Sequence, residues 1–181
     1  MPELLLELLT EEIPARMQAR AAEDLLRLAR DRLTAAGLTF DEARSFVTPR
    51  RLVLVVSNVP AATADTAEEK RGPRIGAPQN AIDGFLKSAG VTLADCEQRD
   101  TGKGVFYFAV IRKQGGPTAD FFPGFVQSLL TEFPWPKSMR FPAAPFRWVR
   151  PLTSVLCRFD GATLALDLGA VPVGGETRGH R

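Results

Sequence analysis

Five short segments of the chain place cations beside proline or glycine. TPRRL, EKRGPR, PWPKSMR, FRWVRP and TRGHR each carry at least two basic side chains within a few positions. Because proline fixes φ and glycine frees the backbone, such turns hold side chains in preset places. Lys and Arg side chains bind phosphate, so we expect some of these turns to contact RNA or another polyanion. The candidate RNA- or anion-binding residues are Arg50, Arg51, Arg71, Arg74, Lys137, Arg140, Arg147, Arg150, Arg178 and Arg181.

Two tryptophans stand inside these segments, Trp135 in PWPKSMR and Trp148 in FRWVRP. If the indole rings are exposed, they are candidates for stacking on bases or for docking a partner, with Arg adding a cation–π contribution. The alternative is that both rings belong to the core and that the arginines are internal donors that pin loops, a role that suits the guanidinium fork. The sequence leaves both interpretations open.

The residues needed for most catalytic centres are scarce. The chain has one histidine, His180, and two isolated cysteines, Cys96 and Cys157, and it contains no GxSxG, P-loop or HExxH motif. We therefore predict no catalytic residue and no metal site in this chain. The adjacent carboxylates Glu11 and Glu12 fit favourable placement before a helix N-terminus better than metal or acid–base chemistry.

Charge and hydropathy limit where a polyanion can bind. Among 181 residues, 23 Lys and Arg stand against 21 Asp and Glu, a formal net charge of +2, so any such site must be a local patch. The opening MPELLLELLTEE carries two glutamates and lacks a basic leader, which is unlike a signal peptide. No apolar stretch approaches the roughly 18 residues of a membrane span. We expect a cytoplasmic protein that does not bind membranes.

The first half of the chain predicts a strand, a helix, a strand and a long loop. Residues 3–9 are apolar and strand-like, and helical spacing then runs from near Pro14 to Gly37. The β-branched run at 52–59 predicts a strand. Residues 61–78 are small, polar and rich in glycine and proline, so we expect a loop there and a candidate hinge.

The second half predicts two helices, a strand and a hairpin. One helix begins at Asn80 as N-cap and ends at Gly90, and residues 105–113 predict a strand buried on both faces. Thr118 is a candidate cap for a helix with the apolar stripe Phe122, Phe125, Val126, Leu129 and Leu130. Asp160-Gly161 between two apolar runs predicts a type I′ hairpin.

These elements mix without a βαβ rhythm, which favours an α+β fold with a mixed or antiparallel sheet and three main helices. We expect one domain over residues 1–181. The ending GGETRGHR looks cut in the middle of an element, so we expect this domain to belong to a longer protein.

Six segments in order resemble one enzyme family. ELLLELLTEEIPAR, TPRRL, RGPRIGAP, PWPKSMR, FRWVRP and TRGHR, which together span essentially the whole chain, are similar to the N-terminal part of the β subunit of bacterial heterotetrameric glycyl-tRNA synthetase. The family usually has a small residue before TEE, where this chain has Leu9, and the residues that follow RWVRP also depart, reading LTSVLC.

The resemblance implies a part of an α2β2 enzyme that attaches glycine to tRNA(Gly) with ATP and Mg²⁺. It implies that the α subunit holds the aminoacylation site, so that no cofactor is expected in this chain. The implied partners are the α subunit, tRNA(Gly) and the remaining domains of the β subunit. The implied fold is similar to the B3/B4 region of the phenylalanyl-tRNA synthetase β subunit.

Three roles follow from the residues and the resemblance together. The first is an accessory region that contacts tRNA. The second is a scaffold that docks the α subunit or other β domains without touching RNA. The third is an editing hydrolase, which no recognisable catalytic set supports.

Overall fold

A computed structural model describes residues 2–63, 65–102, 104–113 and 115–179. The helices within these ranges are α1 (Ala15–Ala35), α2 (Gln79–Ala89) and α3 (Phe122–Thr131). The strands are β1 (Glu3–Thr10), β2 (Glu42–Thr48), β3 (Arg51–Ser57), β4 (Thr66–Arg74), β5 (Cys96–Asp100), β6 (Val105–Lys113), β7 (Leu152–Phe159), β8 (Ala162–Thr163) and β9 (Val173–Gly174). The predicted α+β class with three main helices and antiparallel pairing is confirmed.

The chain divides into two compact units. Unit 1 comprises Met1–Thr63 and Pro117–Arg181, and unit 2 comprises Ala64–Gly116. The expectation that residues 1–181 act as one domain, with a hinge in 61–78, stays a prediction. No helix in the described residues is long and apolar enough to cross a membrane.

The sheet of unit 1 has the strand order β2-β3-β1-β7-β8, and β9 lies parallel to β7. Apolar side chains alternate along β1, where Leu4, Leu6 and Leu8 are almost fully buried, as the period of two in a strand requires. Their neighbours on β3 and β7 are buried on the same face. This face forms the core against the helices, and the prediction of strands at 3–9 and 52–59 is confirmed.

Helix α1 forms because buried residues recur every fourth position from Met17 to Leu33. Pro14 precedes its first residue, where a missing N–H costs nothing, and Gly37 follows its end with φ of +71°. The helix packs on β2 and β3. The predicted helix between Pro14 and Gly37 is confirmed, whereas the sequence analysis did not identify β2.

Helix α3 has the predicted apolar stripe, and all five of its members are buried. Pro123 lies in the first turn, where proline is tolerated. The prediction that Thr118 caps this helix is wrong. Thr118 begins a 3₁₀ turn over Thr118–Phe121, its N–H donates to Ala61 O at 2.9 Å, and its hydroxyl is buried without a hydrogen-bond partner among the described residues.

Unit 2 contains a three-stranded antiparallel sheet of order β4-β6-β5 and helix α2. The prediction of a loop over residues 61–78 is wrong, because Thr66–Arg74 form β4. The Gly-Pro pair that suggested a loop falls instead at a bulge between Arg71 and Arg74. Glycine is required there, since a Cβ at Gly72 would lie 2.6 Å from the ring of Phe85 on α2.

Three further predictions concern single elements. Helix α2 begins at Gln79 after Pro78, so Asn80 is not its cap, while Gly90 ends the helix as predicted with φ of +66°. Strand β6 is buried on one face only, because Phe106 and Phe108 are half-buried. The Asp160-Gly161 hairpin is confirmed, with φ of +50° and +79°, and it joins β7 to β8.

Candidate nucleic-acid interface

Three of the sequence motifs meet at one end of the unit 1 sheet. There β1 ends at Thr10, the β2–β3 turn lies beside it, and β7 begins. Thr10 donates its N–H to Arg50 O at 2.9 Å and its hydroxyl to Arg150 O at 3.2 Å. The neighbouring Glu11 N–H donates to Pro151 O at 3.0 Å. These hydrogen bonds knit the TEE, TPRRL and FRWVRP segments into one fixed end.

The two arginines that flank Thr10 point into solvent. Arg50 and Arg150 are exposed, and neither side chain has a hydrogen bond or ion pair with any described residue. Glu11 and Glu12 are also exposed, and α1 has no acidic residue in its first turn. Glu11 and Glu12 therefore lie before the helix and outside its first turn, and their favourable interaction with the helix N-terminus stays a prediction.

A groove lies beside this end, between the first turns of α1 and the loop 133–137. It encloses about 370 Å³, with Arg16 and Arg20 contributed by α1 and Trp135 and Lys137 contributed by the loop. Pro134 and Pro136 on either side of the indole also line it. The two prolines restrict the backbone on both sides of Trp135, so the ring and the backbone from which Lys137 extends keep preset positions.

The groove's aromatic wall is anchored to the core. The centroid of the Trp135 ring lies 4.6 Å from that of Phe133 and 5.0 Å from that of Trp148, which it meets edge to face. Trp135 is half-buried, and its Nε1 is buried without a hydrogen-bond partner among the described residues. Trp148 is fully buried, so the prediction that it stacks on bases or docks a partner is wrong. Its backbone pairs with Met139 and fixes the loop.

The cations around the groove are largely uncompensated. Arg16 and Lys137 are exposed, and their side chains have no hydrogen bond or ion pair within the described ranges. Arg20 is 73% exposed and lies 3.6 Å from Asp24, which is 15% exposed. Asp24 also lines the groove and pairs more closely with Arg27, at 3.1 Å. An apolar wall with cations beside it can hold a flat ring and its phosphate together.

A second, more open cleft lies further along the chain, formed by residues 140–147. Arg140 and Arg147 line this cleft, which encloses about 560 Å³. Arg147 donates to Ser138 twice, from Nη2 to the carbonyl at 2.7 Å and from Nε to the hydroxyl at 3.2 Å. Arg147 therefore pins the loop as an internal donor, whereas the exposed Arg140 side chain has no such partner in the described part of the chain.

The Arg51 side chain makes internal contacts on the face of the sheet opposite the core. Its Nε lies 3.4 Å from Glu7 Oε2, and its Nη2 donates to Arg178 O at 2.5 Å. The Thr177 hydroxyl donates to Glu7 Oε1 at 2.7 Å. This network ties residues 177 and 178 to β1 and β3, so the expected RNA contact of Arg51 is replaced by an internal role.

The remaining candidates lie elsewhere. Arg71 and Arg74 belong to unit 2, where the Arg71 guanidinium carbon lies 3.8 Å from the centroid of the Phe106 ring. Arg181 and the single histidine, His180, lie outside the described residues. The structure thus brings Arg50 and Arg150 to one end of the unit 1 sheet and Trp135 and Lys137 into one groove, while Arg51 has internal partners.

The thiols and carboxylates of the described residues are not arranged for metal binding or nucleophilic attack. No group of three or more His, Cys, Asp or Glu side chains gathers there in a way that would hold a metal ion. Burial raises the pKa of the Cys157 thiol to about 12. Burial, and next the charge of Asp95, raises the pKa of the half-buried Cys96. Neither environment favours the thiolate that a nucleophile requires.

Sequence reasoning missed Arg16 and Arg20. Their signal is a spacing of four residues in the first turns of a helix that begins immediately after Pro14, which places both side chains on one face. The apolar stripe of α1 by itself predicts only a core helix, and the loop 133–137 that completes the groove lies far away in the chain.

Comparison with known proteins gives a family and several relatives. The family model "Glycyl-tRNA synthetase beta subunit" matches residues 4–181. The glycine–tRNA ligase beta subunit of Phenylobacterium zucineum is 50% identical over 181 residues, and that of Rhodospirillum centenum is 48% identical over 206. The beta subunit of Paracoccus denitrificans is 47% identical over 185 residues. Each alignment covers 100% of this chain but only 26–29% of the relative, so the chain spans little more than a quarter of their length.

Proposed function

This chain belongs to the glycyl-tRNA synthetase beta subunit family, and we propose that it contacts tRNA through the groove between α1 and the loop 133–137. In the complete α2β2 enzyme it would support ATP-dependent attachment of glycine to tRNA(Gly) without holding the aminoacylation site. The α subunit would supply the site for ATP and Mg²⁺, and the remaining β domains would supply further tRNA contacts. We place this activity in the cytoplasm.

The observation that carries the proposal is the meeting of Arg16, Arg20 and Lys137 around the half-buried ring of Trp135. Exposed cations bind the phosphate backbone without reading sequence, and an aromatic wall accepts any base. The N-terminal end of α1 adds a positive partial charge near the same place. Arg50 and Arg150, whose side chains are exposed, add two further cations of unit 1 at the fixed end at Thr10.

Rigidity is the second argument. The Trp135 ring leans on the buried Phe133 and Trp148, and Arg16 and Arg20 stand on a helix whose opposite face fills the core. A site whose side chains are already placed loses less conformational entropy when a phosphate backbone binds than a site on mobile loops. The groove therefore suits recognition of shape and charge, and it needs no catalytic group.

The test is tRNA binding as a function of salt. The triple variant Arg16→Ala, Arg20→Ala, Lys137→Ala should bind tRNA more weakly, and the slope of log K against log salt should fall by about 0.7–0.9 for each phosphate that the variant no longer neutralises. Arg44→Ala is the matched control, because Arg44 is an exposed cation on β2 that pairs with Glu42 outside the groove. A triple variant with the parental slope and affinity would refute the proposal.

A second candidate function has its own observation. The sheet face opposite the core carries half-buried Leu5, Leu9, Val53 and Val55 together with Phe46, which is 51% exposed. Apolar surface of this kind suits docking of the α subunit without any interaction with RNA. Phe46→Glu should then abolish co-elution with the α subunit in size-exclusion chromatography while tRNA binding is unchanged. Co-elution that survives this substitution removes the second candidate.

A further inference from the structure

We propose that unit 2 carries a second RNA site, in which the base of an unpaired nucleotide stacks on Phe106 and its phosphate lies against Arg71 and Arg74. The proposal rests on the proposed function for the class of ligand, RNA. It rests on a different unit and different residues for the site, so each can fail without the other.

Strand register places Phe106 on the open face of the unit 2 sheet. Lys70 and Ala109 are opposite each other, and Lys70 donates to Ser88 O on α2 at 3.5 Å, so this side of the sheet faces the helix. Because side chains alternate along a strand, Phe106 and Phe108 on the central strand β6 point to the other side. Tyr107 and Ala109 are buried, whereas both phenylalanines are half-buried.

Three arginines lie near the two phenylalanines of β6. The guanidinium carbon of Arg71 lies 3.8 Å from the centroid of the Phe106 ring, and that of Arg99 lies 5.3 Å from the centroid of the Phe108 ring. In the strand register, Arg74 on β4 and Arg99 on β5 are the cross-strand neighbours of Phe106. An aromatic ring on a central strand with cations on both neighbouring strands is the arrangement that sheet-based RNA-binding modules use for an unpaired base. The ring supplies stacking, and the cations meet the phosphate that must follow the base.

The three arginines are not equivalent. Arg99 donates to Glu69 at 2.8 Å and to Glu97 at 2.5 Å, and these hydrogen bonds raise the pKa of its guanidinium. Arg71 and Arg74 are exposed, and their side chains pair with no carboxylate among the described residues. The uncompensated charge therefore belongs to Arg71 and Arg74, whereas Arg99 shares its charge with Glu69 on β4 and Glu97 on β5.

Arg71 is placed to exchange its ring contact for a phosphate. Stacking of a base on an aromatic ring is stronger than an exposed cation–π contact, so a base can take the position that Arg71 occupies over Phe106. The displaced guanidinium stays within reach of the nucleotide, where it can bind the phosphate in two parallel hydrogen bonds.

Arg74 lies against the backbone of Gly104, just before β6. A Cβ at Gly104 would lie 2.5 Å from Arg74 Nε and 2.8 Å from its guanidinium carbon, and Gly104 has φ of +125°, which favours glycine. The Arg74 guanidinium therefore lies along the backbone two residues before Phe106, its cross-strand neighbour.

The test uses the whole chain and a single-stranded RNA heptamer with 2-aminopurine at its centre. Stacking on Phe106 should quench the 2-aminopurine fluorescence, and Phe106→Leu should weaken binding about fivefold or more. Phe106→Tyr should retain both the quenching and the affinity. Phe46→Leu is the matched control, because Phe46 is an exposed phenylalanine on a sheet face of unit 1. A heptamer with an abasic centre should bind the parent as weakly as the intact heptamer binds Phe106→Leu.

Two comparisons separate this site from the groove. In the Arg16→Ala, Arg20→Ala, Lys137→Ala background, the difference between intact and abasic heptamers should persist. Where Phe106→Leu lowers the thermal stability of the chain, Arg71→Ala provides the second variant, since it removes the phosphate partner and should weaken binding by a similar factor. Equal affinity for the intact and abasic heptamers, or quenching that survives Phe106→Leu, overturns the proposal whatever the groove variants do.

Discussion

The two units place their arginines by different means. The core of unit 1 gathers thirty buried residues from both parts of its chain. In the described part of unit 2, the buried hydrophobic residues are Ile82, Ala89, Tyr107 and Ala109. The groove of unit 1 is thus supported by a large core, whereas the Phe106 site is formed by neighbouring strands with Arg71 over the ring. Similar pairs of an aromatic ring and a cation can therefore lie on parts of a protein that differ widely in stability.

A small core predicts easy local opening. Buried apolar area is the main favourable contribution to stability, and unit 2 has little of it. Its amide hydrogens should therefore exchange with solvent well before those of β1, β3 and α1. Ligand binding at the Phe106 site would then have to order unit 2, which costs free energy. The groove lies on the better-packed unit and should change little when a ligand binds.

The two thiols give the largest expected difference between the units. Burial moves the pKa of Cys157 in unit 1 from its ordinary 9.0 to about 12, which lowers the thiolate fraction at pH 8 about a thousandfold. Cys96 in unit 2 is half-buried. Native protein should therefore react at one thiol with Ellman's reagent, and urea should release the second. Two fast thiols in native protein would contradict the contrast.

The same pKa predicts a pH dependence of stability. The folded state holds the Cys157 proton more tightly than the unfolded state, so its contribution is complete below pH 9 and is lost as pH rises towards 12. The free energy of unfolding should fall by about 1.4 kcal/mol per pH unit through this window because of this thiol. Cys157→Ala should lack that component, and urea unfolding of both proteins at pH 9 and 10.5 measures the difference.

A pair of glycines tests how unit 2 is held. Gly72→Ala places a Cβ 2.6 Å from the Phe85 ring, so either this ring or α2 must shift on β4, at a cost of about 1–3 kcal/mol. Gly84→Ala on the same helix meets nothing within 4 Å and should stabilise α2 by about 0.5–1 kcal/mol. Hydrogen exchange should accelerate in unit 2 for the first variant and slow for the second. An equal response of unit 1 to Gly72→Ala would show that the units do not open separately.

Sequence patterns predicted the parts of this fold that local chemistry determines. Residues 3–9, the α1 helix, the α3 stripe and the Asp160-Gly161 turn each carry their own periodicity or φ requirement. Strand β4 escaped prediction because its polar residues and Gly-Pro pair have the composition of a loop, and only pairing with β6 makes it a strand.

Half of the candidate site was beyond sequence reasoning for a similar physical reason. PWPKSMR pointed to Trp135 and Lys137 through its own composition. Arg16 and Arg20 become part of the groove only when α1 lies beside the loop, which the core decides. Arg51 and Trp148 have residue types that suit RNA binding. In the structure Arg51 pairs with the buried Glu7, and Trp148 packs in an aromatic cluster.

Ion pairs provide the smallest and sharpest test of the contrast. In unit 1, Glu7 and Arg51 retain 12% and 24% side-chain exposure, whereas in unit 2 Glu69 and Arg99 retain 45% and 44%. A double-mutant cycle on Glu69 and Arg99 should give a small coupling that disappears at 1 M salt. The cycle on Glu7 and Arg51 should give a larger coupling that survives the salt, because solvent screens buried charges less. Equal salt sensitivity of the two couplings would mean that solvent screens the Glu7–Arg51 pair as strongly as the Glu69–Arg99 pair. Arg51 would then again be a candidate for RNA contact.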